Sequence, residues 1–163
     1  MTCKMLNPDV DHDDFHPAFG EAILCHSDTA KRCGLDNVCP APLKDNLRRL
    51  SRLLGQIESL LPDSARLCIT SGFRSTALNE KVGGVENSQH TLGQAADIAC
   101  PAYGTPYSLA CAIRDSGLEF DQLIIEFNRW VHVSVPSAEQ PARRQCLSIF
   151  NADEGYLEGL IER

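Results

Sequence analysis

The sequence lacks the excess of positive charge that is typical of proteins that bind nucleic acids or membrane surfaces. Its 15 lysines and arginines are outnumbered by 22 aspartates and glutamates, which gives a net charge of -7. Without a broad cationic surface, the chain has little to neutralise phosphates or anionic lipids. We therefore expect no nucleic-acid partner and no membrane partner. A single arginine inside a cleft can still bind a peptide carboxylate, because local charge decides that contact.

Long apolar runs are also missing. No stretch approaches the roughly 20 apolar residues of a transmembrane helix. The N-terminal segment, MTCKMLNPDVDHDDFHPAFGEA, has no uninterrupted apolar stretch of signal-peptide length, so we expect cytoplasmic synthesis as a soluble protein. The apolar content of 43% over 163 residues nevertheless suffices for the core of one compact domain, which we expect to be monomeric.

No Cys-x-x-Cys pair occurs among the eight cysteines. Their even number would suit disulfides in a secreted chain, but without an export signal we expect reduced thiols. Cys25, Cys33 and Cys39 lie closest together, and a structural zinc site there is the alternative to be weighed. Their spacing is unlike that of zinc ligands, so buried free cysteines are the favoured interpretation.

The first 20 residues show no apolar periodicity and carry four aspartates around His12. We predict a flexible N-terminal arm over residues 1–20 and a single domain over residues 21–163. A metal site in this arm is disfavoured, because runs of charge are usually solvated.

Periodicity and turn signals predict an α+β fold, a small mainly antiparallel sheet packed with helices. The clearest helix has apolar residues at helical spacing from Leu43 to Leu61. Shorter helices are predicted at SDTAKRCG, RSTALNEKV and PYSLACAIRDSG, and strands at ARLCITSGF, AADIAC, QLIIEF, WVHVSV and RRQCLSIF. Asn128 and Arg129 are expected to form a two-residue hairpin loop, and YLEGLIER a terminal helical turn.

Candidate metal ligands lie in two separate segments. His90 and Asp97 flank six residues that contain a glycine, where the chain passes from loop to strand. In WVHVSV, strand alternation places Trp130, His132 and Ser134 on one face and three valines on the other. A polar face with an aromatic and a histidine suggests a cleft floor, although an ordinary half-solvated strand would read the same way.

Two histidines and one carboxylate would leave a position open on the metal, as in catalytic zinc sites. Such a hydrolase needs a base that is not a ligand, and Glu126, after three apolar residues, is costly to bury without a partner. Arg74 follows a glycine turn, where its guanidinium can bind a substrate carboxylate or carbonyl, and Ser88 can donate a second hydrogen bond. Solvent-exposed positions for Glu126 and Arg74 remain the alternative.

Together, SGFRSTALNEKVGGVENSQHTLGQAADI and QLIIEFNRWVHVS resemble the M15 zinc peptidases. That family includes D-alanyl-D-alanine carboxypeptidases and phage endolysins, and its fold is related to that of hedgehog signalling domains. The shared pattern over about residues 67 to 135 is Ser88-x-His90-x-x-Gly93-x-Ala95-x-Asp97 and then Trp130-x-His132, with Arg74 and Glu126.

The resemblance implies one zinc ion held by His90, Asp97 and His132. It implies that Glu126 is the catalytic base, that Arg74 contacts substrate and stabilises the transition state, and that Ser88 binds substrate; we add Trp130 as a further substrate contact. One departure is visible. Several branches carry the base in a Glu-x-x-His pattern, and that position here is Arg129.

The predicted function is hydrolysis of a peptide bond in peptidoglycan stem peptides, by a carboxypeptidase or a cell-wall endopeptidase. If the chain is of phage or prophage origin, it would act at the bacterial cell wall or in the periplasm. The alternative is a catalytically inactive, zinc-stabilised module that binds the cell wall or belongs to a phage structure. A zinc deaminase is disfavoured, because Cys100 lies in none of the motifs of that class.

Overall fold

The computed structural model describes residues 14–163 and has a six-stranded sheet in the order β1-β2-β4-β3-β5-β6. Neighbouring strands run antiparallel except β3 and β5, which are parallel. The strands are β1 (Cys68–Ser71), β2 (Ala95–Ala99), β3 (Gln122–Glu126), β4 (Trp130–Ser134), β5 (Gln145–Ile149) and β6 (Leu157–Glu158). The predicted α+β class and mainly antiparallel sheet are confirmed.

Five α-helices accompany the sheet in the described residues: α1 (Glu21–Leu24), α2 (Asp28–Cys33), α3 (Lys44–Glu58), α4 (Thr76–Lys81) and α5 (Pro106–Asp115). Their ends follow the sequence signals. Ser27 caps α2 by accepting the backbone N–H of Ala30, and Gly34 ends that helix in the left-handed conformation. Within residues 14–163, no helix has both the length and the apolar character needed to cross a membrane.

The hydrophobic core lies between α3, α5 and one face of the sheet. The buried face of α3 contributes Leu47, Leu50, Leu54 and Ile57, each fully inaccessible to solvent. Val131 and Val133 of β4 belong to the same cluster, so the predicted alternation of this strand is confirmed. His132 between them is therefore directed to the opposite face of the sheet.

The β3–β4 hairpin differs from the prediction at its loop. Glu126 pairs with Trp130, so the loop has three residues, 127–129, and the expected two-residue loop is wrong. Phe127 and Asn128 both have positive φ, at 55° and 54°. The backbone N–H of Phe127 donates to Ile149 of β5 at 2.7 Å, a contact between distant segments that the local sequence does not encode.

The C-terminal segment does not form the predicted helical turn. Leu157 and Glu158 instead pair with β5 as strand β6. The hydroxyl group of Ser148 donates to the carbonyl of Gly159 and accepts the N–H of Ile161, at 2.9 and 3.0 Å. These bonds from a buried serine hold the segment extended along β5.

Residues 1–13 of the predicted N-terminal arm, which include His12 and three of the four aspartates around it, lie outside the described residues. Phe19 is buried in the main core, and the N–H of His16 donates to the hydroxyl of Ser51 at 2.8 Å. The last residues of the predicted arm thus pack against α3, while the division at residue 20 stays a prediction.

Candidate active site

Three potential metal ligands from distant parts of the chain meet on the sheet face opposite the main core. His90 lies on a short 3-10 turn (Gln89–Leu92), Asp97 on β2, and His132 on β4 directly opposite Asp97. Asp97 Oδ1 is 3.1 Å from His90 Nε2 and 3.2 Å from His132 Nδ1. All three residues are buried, and within residues 14–163 they form the one such group of three or more. The cysteines 25, 33 and 39 form no such group.

The hydrogen bond of His90 Nδ1, the ring nitrogen that points away from Asp97, fixes the tautomer of the ring. His90 Nδ1 lies 2.7 Å from the carbonyl oxygen of Gly72. A carbonyl oxygen only accepts, so Nδ1 carries the hydrogen and Nε2 turns its lone pair toward Asp97.

A chain of side chains fixes the ring of His132 in the same way. Gln89 donates its amide N–H to Asp121 at 2.8 Å, so its oxygen faces His132 Nε2 at 3.2 Å. His132 therefore carries its hydrogen on Nε2 and directs the lone pair of Nδ1 inward. Arg143 donates to both Asp121 oxygens and holds the pKa of that carboxyl below its usual range, against the effect of burial and with help from Gln89.

The inner atoms of this cluster are all hydrogen-bond acceptors. Two imidazole lone pairs and one carboxylate oxygen face one another, which is stable only with a positively charged species between them. A set of two imidazoles and one carboxylate, each oriented from outside, fits a divalent metal ion.

Arg74 engages the remaining oxygen of Asp97. Its Nη2 donates to Asp97 Oδ2 at 2.7 Å, and its Nε donates to the Ser71 hydroxyl at 2.8 Å. This leaves Asp97 Oδ1 available to a metal ion. The predicted substrate role of Arg74 stays a prediction, and the structure adds that the arginine orients a ligand.

Glu126 lies on the same sheet face as the ligands, two residues beyond Ile124, which pairs with His132. Its Oε2 accepts the indole N–H of Trp130 at 2.9 Å. Burial, then the charge of Asp97, raise the pKa of Glu126, while His132, Trp130 and Arg74 act in the opposite direction. A carboxyl with a raised pKa, close to the ligands but not one of them, suits proton transfer near neutral pH.

These residues line an open cleft of about 640 Å³. Ser88 is among them, but its hydroxyl oxygen also accepts the backbone N–H of His90, which caps the 3-10 turn. The seven residues assigned to the site from the sequence all line this one cleft: Arg74, Ser88, His90, Asp97, Glu126, Trp130 and His132.

Two further residues of the site were missed by the sequence analysis. Gln89 precedes His90 directly, yet nothing in its type or position marks it as the support of His132. Tyr156 lines the cleft from the C-terminal segment, and burial, with the charges of Glu126 and Asp97, raises the pKa of its phenol. Neither residue belongs to a pattern that could have identified it, because each reaches the site through tertiary packing.

A buried group that could hold a metal, beside a non-ligand carboxylate in an open cleft, is typical of metal-dependent hydrolases. The chain matches the family model described as Peptidase M15 over residues 17–134, which is more than half of its length. It therefore belongs to the M15 peptidase family, whose members are generally metal-dependent peptidases, and the resemblance seen in the sequence is confirmed. A comparison with curated proteins found no match.

Proposed function

We propose that this protein is a zinc metallopeptidase that hydrolyses a peptide bond in peptidoglycan stem peptides. The observation that carries the proposal is the orientation of His90, Asp97 and His132, whose acceptor atoms converge while hydrogen bonds fix them from outside. Imidazole and carboxylate ligands in this ratio are typical of catalytic zinc. When bound, zinc would polarise the scissile carbonyl and lower the pKa of the attacking water.

The chain supplies the remaining chemistry. Glu126 accepts a proton from the attacking water and returns it to the leaving nitrogen. Its raised pKa narrows the energy gap between the carboxylate and the carboxylic acid near neutral pH, which assists transfer in both directions. Arg74 stabilises negative charge on the carbonyl oxygen, and Ser88 and Trp130 contact the substrate.

We further propose that the protein acts as a monomer at the bacterial cell wall or in the periplasm, with a phage or prophage lysis system as its source. The family supports a peptidoglycan-related activity, and the cell wall is where such substrates occur.

The test compares Glu126→Gln with Glu119→Gln, because both remove one carboxylate and Glu119 is exposed, away from the cleft. Zinc-loaded proteins are incubated with purified sacculi, and released fragments are identified by mass spectrometry. We expect Glu126→Gln to lower turnover by about 10²–10⁴-fold, the usual contribution of general acid–base catalysis. Zinc content should remain near that of the parent in both variants.

Full activity of Glu126→Gln would show that the base is assigned wrongly. A parent protein that binds zinc and sacculi but releases no fragment would overturn the enzymatic function and leave the zinc-stabilised binding module.

A further inference from the structure

The cleft continues into a second cavity of about 660 Å³. Five residues line both cavities: Ser27, Thr29, Thr70, Ser71 and Leu78. Because the two cavities share these walls, they form one groove that passes from the ligands along β1 toward α1 and α2.

Strand β1 forms one edge of the sheet. It pairs with β2 on its inner side, and among residues 14–163 no strand pairs with its outer side. Thr70 and Ser71 of this strand lie where the two cavities join. An edge strand beside a groove is a common binding site for extended peptide, since the free backbone groups pair with the peptide and adjoining pockets take its side chains.

The second cavity has the chemistry of such a side-chain pocket. Ile23, Ile69 and Phe73 supply apolar surface, and Ile23 is 47% exposed although it is a large aliphatic residue. Its ionisable side chains are His26 and Asp28, which lie 3.1 Å apart and bond to each other. The cavity therefore suits a small apolar side chain of a bound peptide, such as that of alanine.

The distribution of cations bears on which peptide bond is cut. A carboxypeptidase must neutralise the terminal carboxylate of its substrate, usually with a lysine or arginine. Arg74 is the one lysine or arginine among the described residues that line the two cavities. Its guanidinium is held against Asp97 at 2.7 Å, where the proposed reaction uses it for the carbonyl oxygen of the scissile bond. The described lining of the two cavities then offers no second lysine or arginine for a terminal carboxylate.

We propose that the second cavity is a substrate subsite beyond the metal and that the protein is an endopeptidase, which binds an extended peptide along β1 and cuts an internal bond. This inference rests on the proposed function. In the reaction, the water oxygen bonds to the carbonyl carbon and the carbon–nitrogen bond breaks. Both protons of the water pass to the leaving nitrogen, which departs as an ammonium group, and the new carboxylate remains on the other fragment.

The first experiment uses the stem pentapeptide L-Ala-γ-D-Glu-L-Lys-D-Ala-D-Ala as the free acid and as its C-terminal amide. We expect internal cleavage of both peptides at rates that agree within about twofold, because the described lining of the groove offers the terminal carboxylate no cation besides Arg74. Release of a single D-alanine from the free acid, with the amide uncut, would overturn the inference and leave the peptidase function standing.

The second experiment places a charge in the subsite. Ile23→Glu should raise KM for the pentapeptide amide about tenfold at unchanged kcat and zinc content, since a lost apolar contact weakens binding by that order. Val38→Glu is the matched control, because Val38 is 67% exposed and lines neither cavity. Equal KM values for the two variants would contradict the subsite.

A binding measurement separates failure of the subsite from failure of catalysis. Zinc-loaded Glu126→Gln should bind the pentapeptide amide at least about tenfold more tightly than the dipeptide D-Ala-D-Ala, and Ile23→Glu should remove that advantage. Equal affinities would overturn the subsite even if cleavage is seen. Tight binding of the pentapeptide amide without cleavage by the parent would support the subsite and contradict the peptidase function.

Discussion

His90 and His132 face the same carboxylate oxygen, but different kinds of group hold them from behind. His90 donates to a backbone carbonyl, that of Gly72. His132 donates to a side chain, that of Gln89, which Asp121 and Arg143 hold in turn. A backbone support is fixed by the fold itself, whereas a side-chain support can be removed without moving the main chain. The two halves of the site should therefore respond differently to mutation.

The largest effect is expected from Gly72→Ala, which disturbs the backbone support. A Cβ atom at this position would lie 2.2 Å from the carbonyl oxygen of Leu24, so the main chain must shift. We expect a loss of about 1–3 kcal/mol in the free energy of unfolding of the metal-free protein, together with weaker metal binding. Urea denaturation and a chelator competition titration measure the two effects.

Gly20→Ala is the control for that substitution, because Gly20 has φ of -68° and no atom within 4 Å of an added Cβ. It should leave both quantities unchanged. Unaltered metal affinity in Gly72→Ala would show that His90 does not depend on this carbonyl.

An intermediate effect is expected from Gln89→Met, which removes the side-chain support of His132. Loss of a group that orients a metal-binding histidine commonly weakens metal affinity by about 10–100-fold. The free energy of unfolding of the metal-free protein should change much less than in Gly72→Ala, because Gln89 is only partly buried.

Gln145→Met provides the comparison for Gln89→Met, since Gln145 accepts from Gln122 and makes no bond to a ligand. Equal metal affinities in these two variants would refute the support assigned to Gln89. A loss in the free energy of unfolding as large as that of Gly72→Ala would instead show that Gln89, like the Gly72 carbonyl, is needed for the fold itself.

The smallest effect is expected from Trp130→Phe, which removes the one side-chain hydrogen-bond donor that Glu126 has within residues 14–163. The hydrogen bond from Trp130 lowers the pKa of Glu126. Without this bond, the pKa of Glu126 in Trp130→Phe should rise further above its already raised value. The base acts as the carboxylate, so activity lost on acidification should be lost at higher pH. The acid limb of kcat/KM against pH should therefore move to higher pH, with a modest change on the plateau.

Phe127→Leu separates the hydrogen bond from the aromatic contact, because the ring of Phe127 packs against Trp130 with centroids 5.7 Å apart. It should leave the acid limb in place. An acid limb that moves to lower pH in Trp130→Phe would contradict the role given to the indole N–H.

Much of the fold could be predicted from local sequence patterns. Helix α3 and strand β4 were predicted because their apolar residues repeat with the period of the element, and burial against one core enforces that repeat. The three-residue loop after Glu126 and strand β6 were not predicted. Both depend on hydrogen bonds to β5, from Phe127 to Ile149 and from Ser148 to the C-terminal segment.

The sequence by itself determined which residue types were available for the chemistry. These are two histidines and an aspartate at a characteristic spacing, with a glutamate in the strand before that of His132. Only the tertiary structure decided which nitrogen of each histidine faces inward, because that depends on Gly72 and Gln89 as partners. The pairing of Arg74 with Asp97 and the extension of the cleft along β1 were decided in the same way. Such contacts join residues far apart in the chain, and their geometry arises only when the sheet brings them together.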